Sequence, residues 1–422
     1  MSHWGQRLSA EDISQRTTRL IKEGYLSQER SIFVHDLDLM ANRISMLKQA
    51  FPANALHAIA VKANPLVKVL KEIVSAGAGL ECASVEEVEL SLAAGCPPEK
   101  IVFDSPAKTI EEIQFALNKG IHINLDNFDE LERVSALHSG DMRGHVGFRV
   151  NPQIGGGKIA ITSVATQLSK FGVPLQANEA ALLQAYSKYP WLDGLHVHVG
   201  SQGYELSQLI EAVARVEVFR QKLHKQTGRN ITQLDIGGGL SAAYCGSDCP
   251  PSIEEYARRL KQRVPDIFNK QTRILTEFGR SVQASCGWAV SRVEYIKCAA
   301  NSTMAILHLG ADAFMRTVYH PNDWHHDFLV LTAEGEIKSG AERPVTLVGP
   351  LCFAGDILAR EILLPEITNT DLIVVRDCGA YTLSTWSRHC NRGLPNVVGW
   401  MNNQACVLKR AERPQDVVEF WS

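Results

Sequence analysis

Eight short apolar runs dominate the first two-thirds of this 422-residue chain and constrain its fold more than any other feature. They are HAIAV (57–61), GLECA (79–83), KIVFD (100–104), IHINLD (121–126), HVGFRV (145–150), LDGLHVHV (192–199), QLDIG (233–237) and ILTEF (274–278). Each ends on or beside a polar residue or a glycine, and all but the last lead into a helix-like stretch. Runs this short and this rich in Val and Ile read as strands buried on both faces, since a half-exposed strand would alternate. Between them, Val67–Ala76 is apolar-periodic, and Ser84 and Thr109 open SVEE and TIEE, each a hydroxyl cap with a glutamate three residues on. Asn127 caps NFDELERVSAL, and further helices are expected over 178–187, 205–225 and 251–268. Gly77, Gly95 and Gly120 stand where helices should stop. Eight strand–helix units within residues 57–278 predict an α/β fold, a closed (β/α)8 TIM barrel rather than an open sheet. The glycine-rich stretch 151–177 is long for a connection and reads as an active-site loop.

Past residue 284 the pattern changes. WAVSRVEYIKCA, TMAILHLGA, DFLVLTA, RPVTLVGP, DLIVVRDCGAYTL, NQACVLKR and VVEFW read as strands of a mostly antiparallel sheet, and SIFVHDL (31–37) as a further strand ahead of the barrel. The expected division is a barrel over 38–283 and a second, β domain built from 1–37 and 284–422. A chain of this length exceeds the usual limit of one core, so two domains are the natural outcome. Its net charge of −3 offers no field for nucleic acid or an anionic membrane. The N-terminus lacks an apolar secretion core and no run is long enough to span a bilayer, so a cytoplasmic location is expected. The 10 cysteines follow no framework spacing and read mostly as buried thiols, Cys286 and Cys298 among them. Neither Cys245 with Cys249 nor the adjacent His325 and His326, read as exposed loop histidines, makes a convincing metal site, and no metal is expected.

The chemistry gathers where the runs end. A barrel presents its functional groups at the C-terminal ends of its strands. Lys62 stands at the end of the first run, His196 and His198 on the sixth, Gly237-Gly238-Gly239 after the seventh, and Glu277-Phe278-Gly279-Arg280 after the eighth. A lysine delivered toward an interior is costly unless paired, neutralised or used covalently. Taken singly, each feature has an ordinary structural explanation; their joint occurrence at strand ends points to a lysine-bound pyridoxal phosphate. The lysine amine can hold the cofactor's aldehyde, glycines let backbone N–H groups approach a phosphate with Ser201 adding a hydroxyl, Glu277 can hold a proton on the pyridine nitrogen, and His198 can lie flat against the ring.

The segments AVKANP, CASVEE, GLHVHVGSQ, DIGGG, EFGR, VGPLC with Asp356 close behind, and GAYTLS resemble, in order and spacing, the pyridoxal-phosphate decarboxylases that include the diaminopimelate, ornithine and arginine enzymes. The resemblance spans residues 30 to 400. It implies an alanine-racemase-like barrel with a β domain, a small amino acid as substrate, and a homodimer with active sites shared between subunits. It makes Lys62 the Schiff-base lysine, His198 the ring-stacking imidazole and Glu277 the partner of the pyridine nitrogen. Ser201, Gly238, Gly239, Gly279, Arg280 and Tyr381 match the phosphate-binding set. Cys352 matches the catalytic cysteine lent by the other subunit, which protonates the carbanion after carbon dioxide leaves. Arg316 and Tyr319, in MRTVYH, resemble the diaminopimelate branch, where such residues join the arginine of the EFGR tetrad in gripping the substrate's distal carboxylate.

Three departures stand out. Relatives carry a glutamate or aspartate directly after the cysteine to read a distal ammonium, where this chain has Phe353. The tetrad is EFGR rather than EPGR, and RHCNRGLP differs from the usual pattern beyond the tyrosine. These changes lead to the expectation of a decarboxylase with a re-specified distal pocket, acting on an amino acid with an anionic or bulky far end in a specialised biosynthetic pathway. The alternative is a genuine meso-diaminopimelate decarboxylase of lysine biosynthesis. A racemase on the same barrel would need a second acid–base residue facing Lys62, which VGPLC does not supply. A non-catalytic regulator would be expected to lack Lys62 or Cys352, and both are present.

Overall fold

The computed structural model describes residues 4–137, 143–299 and 302–422. The chain divides into two compact units, one of Met1–Gly5, Ala41–Ala242 and Pro250–Val282, the other of Gln6–Met40, Ala243–Cys249 and Gln283–Ser422.

The first unit is a closed barrel of eight parallel strands. They are β1 (Leu56–Ala60), β2 (Gly79–Cys82), β3 (Ile101–Asp104), β4 (His122–Leu125), β5 (Val146–Asn151), β6 (Leu192–His196), β7 (Gln233–Asp235) and β8 (Arg273–Thr276). Each pairs with its neighbours in sequence, β8 pairs with β1, and so the sheet closes without an edge. Every residue of β1 to β4 is buried, which is why those runs are mostly apolar, the polar side chains among them being His57, Glu81, Asp104, His122 and Asn124. Of the two hydroxyl caps, Ser84 takes the Glu87 N–H on its Oγ while the Glu87 carboxylate accepts from the Ala83 N–H, and only TIEE forms the full reciprocal box. Thr109 Oγ1 accepts from the Glu112 N–H at 3.2 Å and the Glu112 carboxylate returns to the Thr109 N–H at 2.7 Å. Gly120 ends that helix with φ +77°, a left-handed turn that glycine adopts without strain. The stretch 151–177 closes over the rim beyond β6: Val164 donates to Val199 O, Lys158 to Gly203 O, and Ser201 to Thr162 O.

Gly147 on β5 and Gly194 on β6 face each other so closely that a Cβ at 147 would lie 2.7 Å from the Gly194 carbonyl carbon. Gly147→Ala should therefore cost about 1–3 kcal/mol by overpacking, read as a lower thermal midpoint; an unchanged midpoint would show that the two strands can part there.

The second unit is a nine-stranded sheet, mostly antiparallel. Ser31–Asp36 lies at its centre, antiparallel to Gly287–Ala299 and parallel to Asn396–Met401. Its core is built on Ile32, Val34, Trp288, Val290, Leu372, Val374, Val398 and Trp400. Several sequence readings are corrected here. VVEFW is part of a helix, Pro414–Trp421, not a strand: Pro414 sits in the first turn, and the Asp416 carboxylate accepts the Arg413 N–H. Ile357–Pro365 and Asn396–Met401 are strands, and Ala10–Lys22 is a helix, none of which was anticipated. His326 is buried, its Nδ1 2.7 Å from Arg376 O, because the rings of Tyr244 and Phe314 cover it. Cys286 is buried but Cys298 is exposed, and exposed thiols outnumber buried ones, so the apolar neighbours of a cysteine were a poor guide to its burial.

Candidate active site

Strand β1 stops at Ala60 and the chain tightens into a single 3-10 turn, Val61–Ala63. Val61 and Ala63 are buried, while Lys62 keeps its side chain 39% exposed at the strand end. Its Nζ meets both carboxylate oxygens of Glu81, each at 2.6 Å. Glu81 is the penultimate residue of β2 and is itself 1% exposed; burial pushes its carboxyl up to about 7 against the opposing pull of Lys62. A carboxyl poised near neutrality against an amine can take that amine's proton. Lys108, a buried lysine of the barrel, is committed elsewhere: it donates to Ser105 O and Asn124 O at 2.5 and 2.9 Å and pairs with Glu130 at 3.1 Å.

Glu277 follows β8 and is 5% exposed. Its Oε2 lies 3.5 Å from His196 Nε2 and 3.6 Å from His198 Nδ1, while Oε1 makes no hydrogen bond. Burial would raise its carboxyl, but His196 overrides that and holds it well below the ordinary range, so it is ionised. His198 is the opposite case, lowered by burial to about 4 and neutral at pH 7. Its Nδ1 accepts the Gly238 N–H at 3.1 Å, which places the ring proton on Nε2. The glycine triplet is sterically required. Gly237 and Gly239 have φ of +65° and +100°, and a Cβ on Gly238 would sit 2.3 Å from Glu277 O. Beside it Arg280, 5% exposed, donates from Nε to Ser201 Oγ at 2.9 Å. Phe278 stands where a proline would stiffen the tetrad, and its buried ring packs edge-on against Tyr256 at 5.9 Å. Packing takes the place of ring closure there.

The second unit carries its own group of the expected residues. Arg316 and Tyr319 lie three apart on the short helix Met315–Tyr319. The Arg316 guanidinium stacks over the Trp324 ring at 4.3 Å, reaches the Tyr381 ring at 5.6 Å and donates to Ala380 O at 3.2 Å, so its plane is fixed by aromatic faces. Tyr319 stacks on Phe353 with centroids 5.8 Å apart, and His389 meets Phe353 edge-on at 6.2 Å. Cys352 is exposed. The Asp356 carboxylate holds its loop by accepting N–H groups from Leu351 at 2.8 Å and Ala311 at 2.6 Å.

Glu81, Asp104 and Asp235 were missed as functional candidates, and His196 was noted only as the partner of His198. The signal was available: GLECA, KIVFD and QLDIG place these carboxylates at strand ends, as HAIAVK places its lysine.

The donor set fits pyridoxal phosphate. An amine faces a carboxyl that can relieve it of a proton, an ionised glutamate keeps one buried oxygen unbonded for a protonated ring nitrogen, a neutral imidazole stands beside it, and a glycine loop admits close approach of a phosphate. Residues 37–284 match the family model described as the pyridoxal-binding domain of pyridoxal-dependent decarboxylases. The chain is 31% identical to the diaminopimelate decarboxylase of Zymomonas mobilis, over 88% of this chain and 87% of that one. It is 30% identical to the Aquifex aeolicus enzyme of the same name, over 92% and 90%. A crystal structure of a mutant Helicobacter pylori diaminopimelate decarboxylase complexed with L-lysine superposes with a TM-score of 0.86 at 25% identity, covering 95% of this chain and 99% of that one. This chain belongs to the pyridoxal-dependent decarboxylases, and its activity is that of a pyridoxal-phosphate-dependent carboxy-lyase.

Proposed function

We propose that the substrate is a dicarboxylic amino acid of the diaminopimelate type, decarboxylated at one end and recognised by its carboxylate at the other. The bound cofactor supplies the electron sink that lets the α-carboxylate depart as carbon dioxide. Lys62 holds the cofactor, Glu81 manages the proton of its amine, Glu277 holds the ring nitrogen and His198 lies against the ring. Ser201, Gly238, Gly239, the backbone of Gly279 and Arg280, and Tyr381 take the phosphate. Cys352 donates the proton that replaces the departing carboxylate, and in a homodimer it does so for the partner's site. Arg280, Arg316 and Tyr319 hold the distal carboxylate. The roles of Cys352, Arg316, Tyr319 and Tyr381 rest on their motifs. The fixed plane of Arg316 supports a bidentate grip on a carboxylate.

The relatives' names support diaminopimelate itself as the substrate, and lend nothing to a specialised pathway. One observation favours a second reading. Phe353 stacks on Tyr319 where an acidic reader of a distal ammonium would be expected, so a far end lacking a free amine suits this pocket better. The test is a kcat/KM panel on meso-diaminopimelate, its N-acylated form, ornithine and lysine. With Phe353 excluding the ammonium, Phe353→Glu should raise kcat/KM on meso-diaminopimelate by roughly 10- to 100-fold, the worth of one charge-assisted hydrogen bond. Arg316→Ala should depress turnover of the dicarboxylic substrates most. Wild-type enzyme that matches or exceeds Phe353→Glu on meso-diaminopimelate would remove the second reading and leave the first. Turnover of ornithine or lysine in preference to any dicarboxylic substrate would overturn both.

A further inference from the structure

Four ionisable side chains, Glu277 among them, converge inside the barrel. Asp104 ends β3, His196 ends β6, Asp235 ends β7 and Glu277 follows β8, and β3 lies across the barrel from β7, so Asp104 must reach over the axis to join the others. All four are buried, His196 and Asp235 completely. The imidazole of His196 lies between two carboxylates, with Nδ1 3.6 Å from Asp104 Oδ1 and Nε2 3.5 Å from Glu277 Oε2. Neither nitrogen of that ring makes a hydrogen bond, nor does either oxygen of Asp104. Three carboxylates and one imidazole in a dry interior cannot all carry charge. The arrangement must settle which group is the anion.

We infer that Asp104 and His196 are positioning residues for Glu277: His196 carries the compensating positive charge, Asp104 carries a proton, and together they leave Glu277 as the ionised group that serves the cofactor's ring nitrogen. The inference rests on the role assigned to Glu277 above. The surrounding charges agree with it. Burial pushes Asp104 up to about 8, with Glu277 adding to the rise and His196 and Arg149 opposing it. Burial works against a charged His196, yet the carboxyl groups around it raise it to about 9; with Asp104 and Asp235 protonated, Glu277 is the anion it pairs with. Asp235, raised chiefly by burial, stays protonated, and His122 on β4, lowered to about 4 by burial, stays neutral. Lys62 and Glu81 complete the facing groups: the charge of Lys62 lowers His198, and that of Glu277 raises Glu81.

The experiment titrates cofactor-free protein with pyridoxal phosphate between pH 7 and pH 9, following affinity and the spectrum of the bound cofactor. His196→Gln removes the cation, so its affinity at pH 7 should fall by about 10- to 100-fold. Asp104→Asn keeps a neutral group of the same shape and should bind as wild type at pH 7. The wild-type spectrum should pass through a step near pH 8 as Asp104 ionises, and Asp104→Asn should lack it. A purely structural role for Asp104 would leave the step in place. Persistence of the step in Asp104→Asn, or wild-type affinity in His196→Gln, overturns the inference; if His196→Gln fails to fold, the Asp104→Asn step decides alone. Glu277→Ala is the control: unchanged affinity there would overturn the role of Glu277 itself, and the inference with it.

Discussion

Lys62→Ala is expected to purify colourless, to hold no pyridoxal phosphate covalently, and to lose activity by about 10²–10⁴-fold or more, the range set by loss of a positioned proton-transferring group alone. The argument begins with a strand that buries every residue from Leu56 to Ala60 and then releases the chain into one 3-10 turn. That turn brings the Lys62 amine against the two oxygens of Glu81. Because burial holds Glu81 near neutrality, the pair can exchange a proton at physiological pH without leaving an isolated charge behind. Glu81→Gln should therefore keep the cofactor but shift its spectrum with pH, since the amide cannot accept the proton. If Lys62→Ala remained yellow and active, the lysine would be a surface residue and the site would lie elsewhere.

The second large effect belongs to Cys352. Cys352→Ala should lower turnover by about 10²–10⁴-fold, as expected for removal of a general acid, while cofactor content and the thermal midpoint stay at wild-type values. The thiol is exposed and its loop is anchored independently by Asp356, so truncating it should leave the local fold alone. A carbanion deprived of its acid would also be protonated at the wrong carbon, and a fraction of turnovers should end in transamination of the cofactor. If sites are shared between subunits, mixing inactive Lys62→Ala with inactive Cys352→Ala chains should restore up to about a quarter of the activity, since random pairing makes about half the dimers mixed and each mixed dimer holds one intact site of its two. Absence of any recovery would place Cys352 in its own subunit's chemistry.

Much of the barrel was legible because its physics is local. A strand buried on both faces is mostly apolar, and a helix needs its ends capped, so the alternation of such runs with SVEE and TIEE marks the units without knowledge of their pairing. The β unit was harder to read. The parallel pairing of Ser31–Asp36 with Asn396–Met401 joins segments separated by most of the chain, and nothing local announces it. VVEFW shows the limit of pattern at short length: five residues fit a strand or a helix, and the deciding signals, Pro414 and Asp416, lie outside the run. For the site, Lys62, His198, Gly237–Gly239 and Glu277 could be picked out as residue types with a known chemical use. Asp104 and Glu81 sit near equivalent strand ends, which marks them as candidates, but their position in a run does not say which partner each meets, a histidine across the barrel or a lysine from the neighbouring strand.

The central claim is that the first barrel strand delivers the amine that carries the cofactor. Its most direct test is borohydride reduction of the holoenzyme followed by peptide mapping. The label is predicted on Lys62 alone, with the yellow colour bleached in step. Labelling of Lys108, whose amine is already committed to Ser105, Asn124 and Glu130, or a protein that takes up no pyridoxal phosphate, would contradict the account.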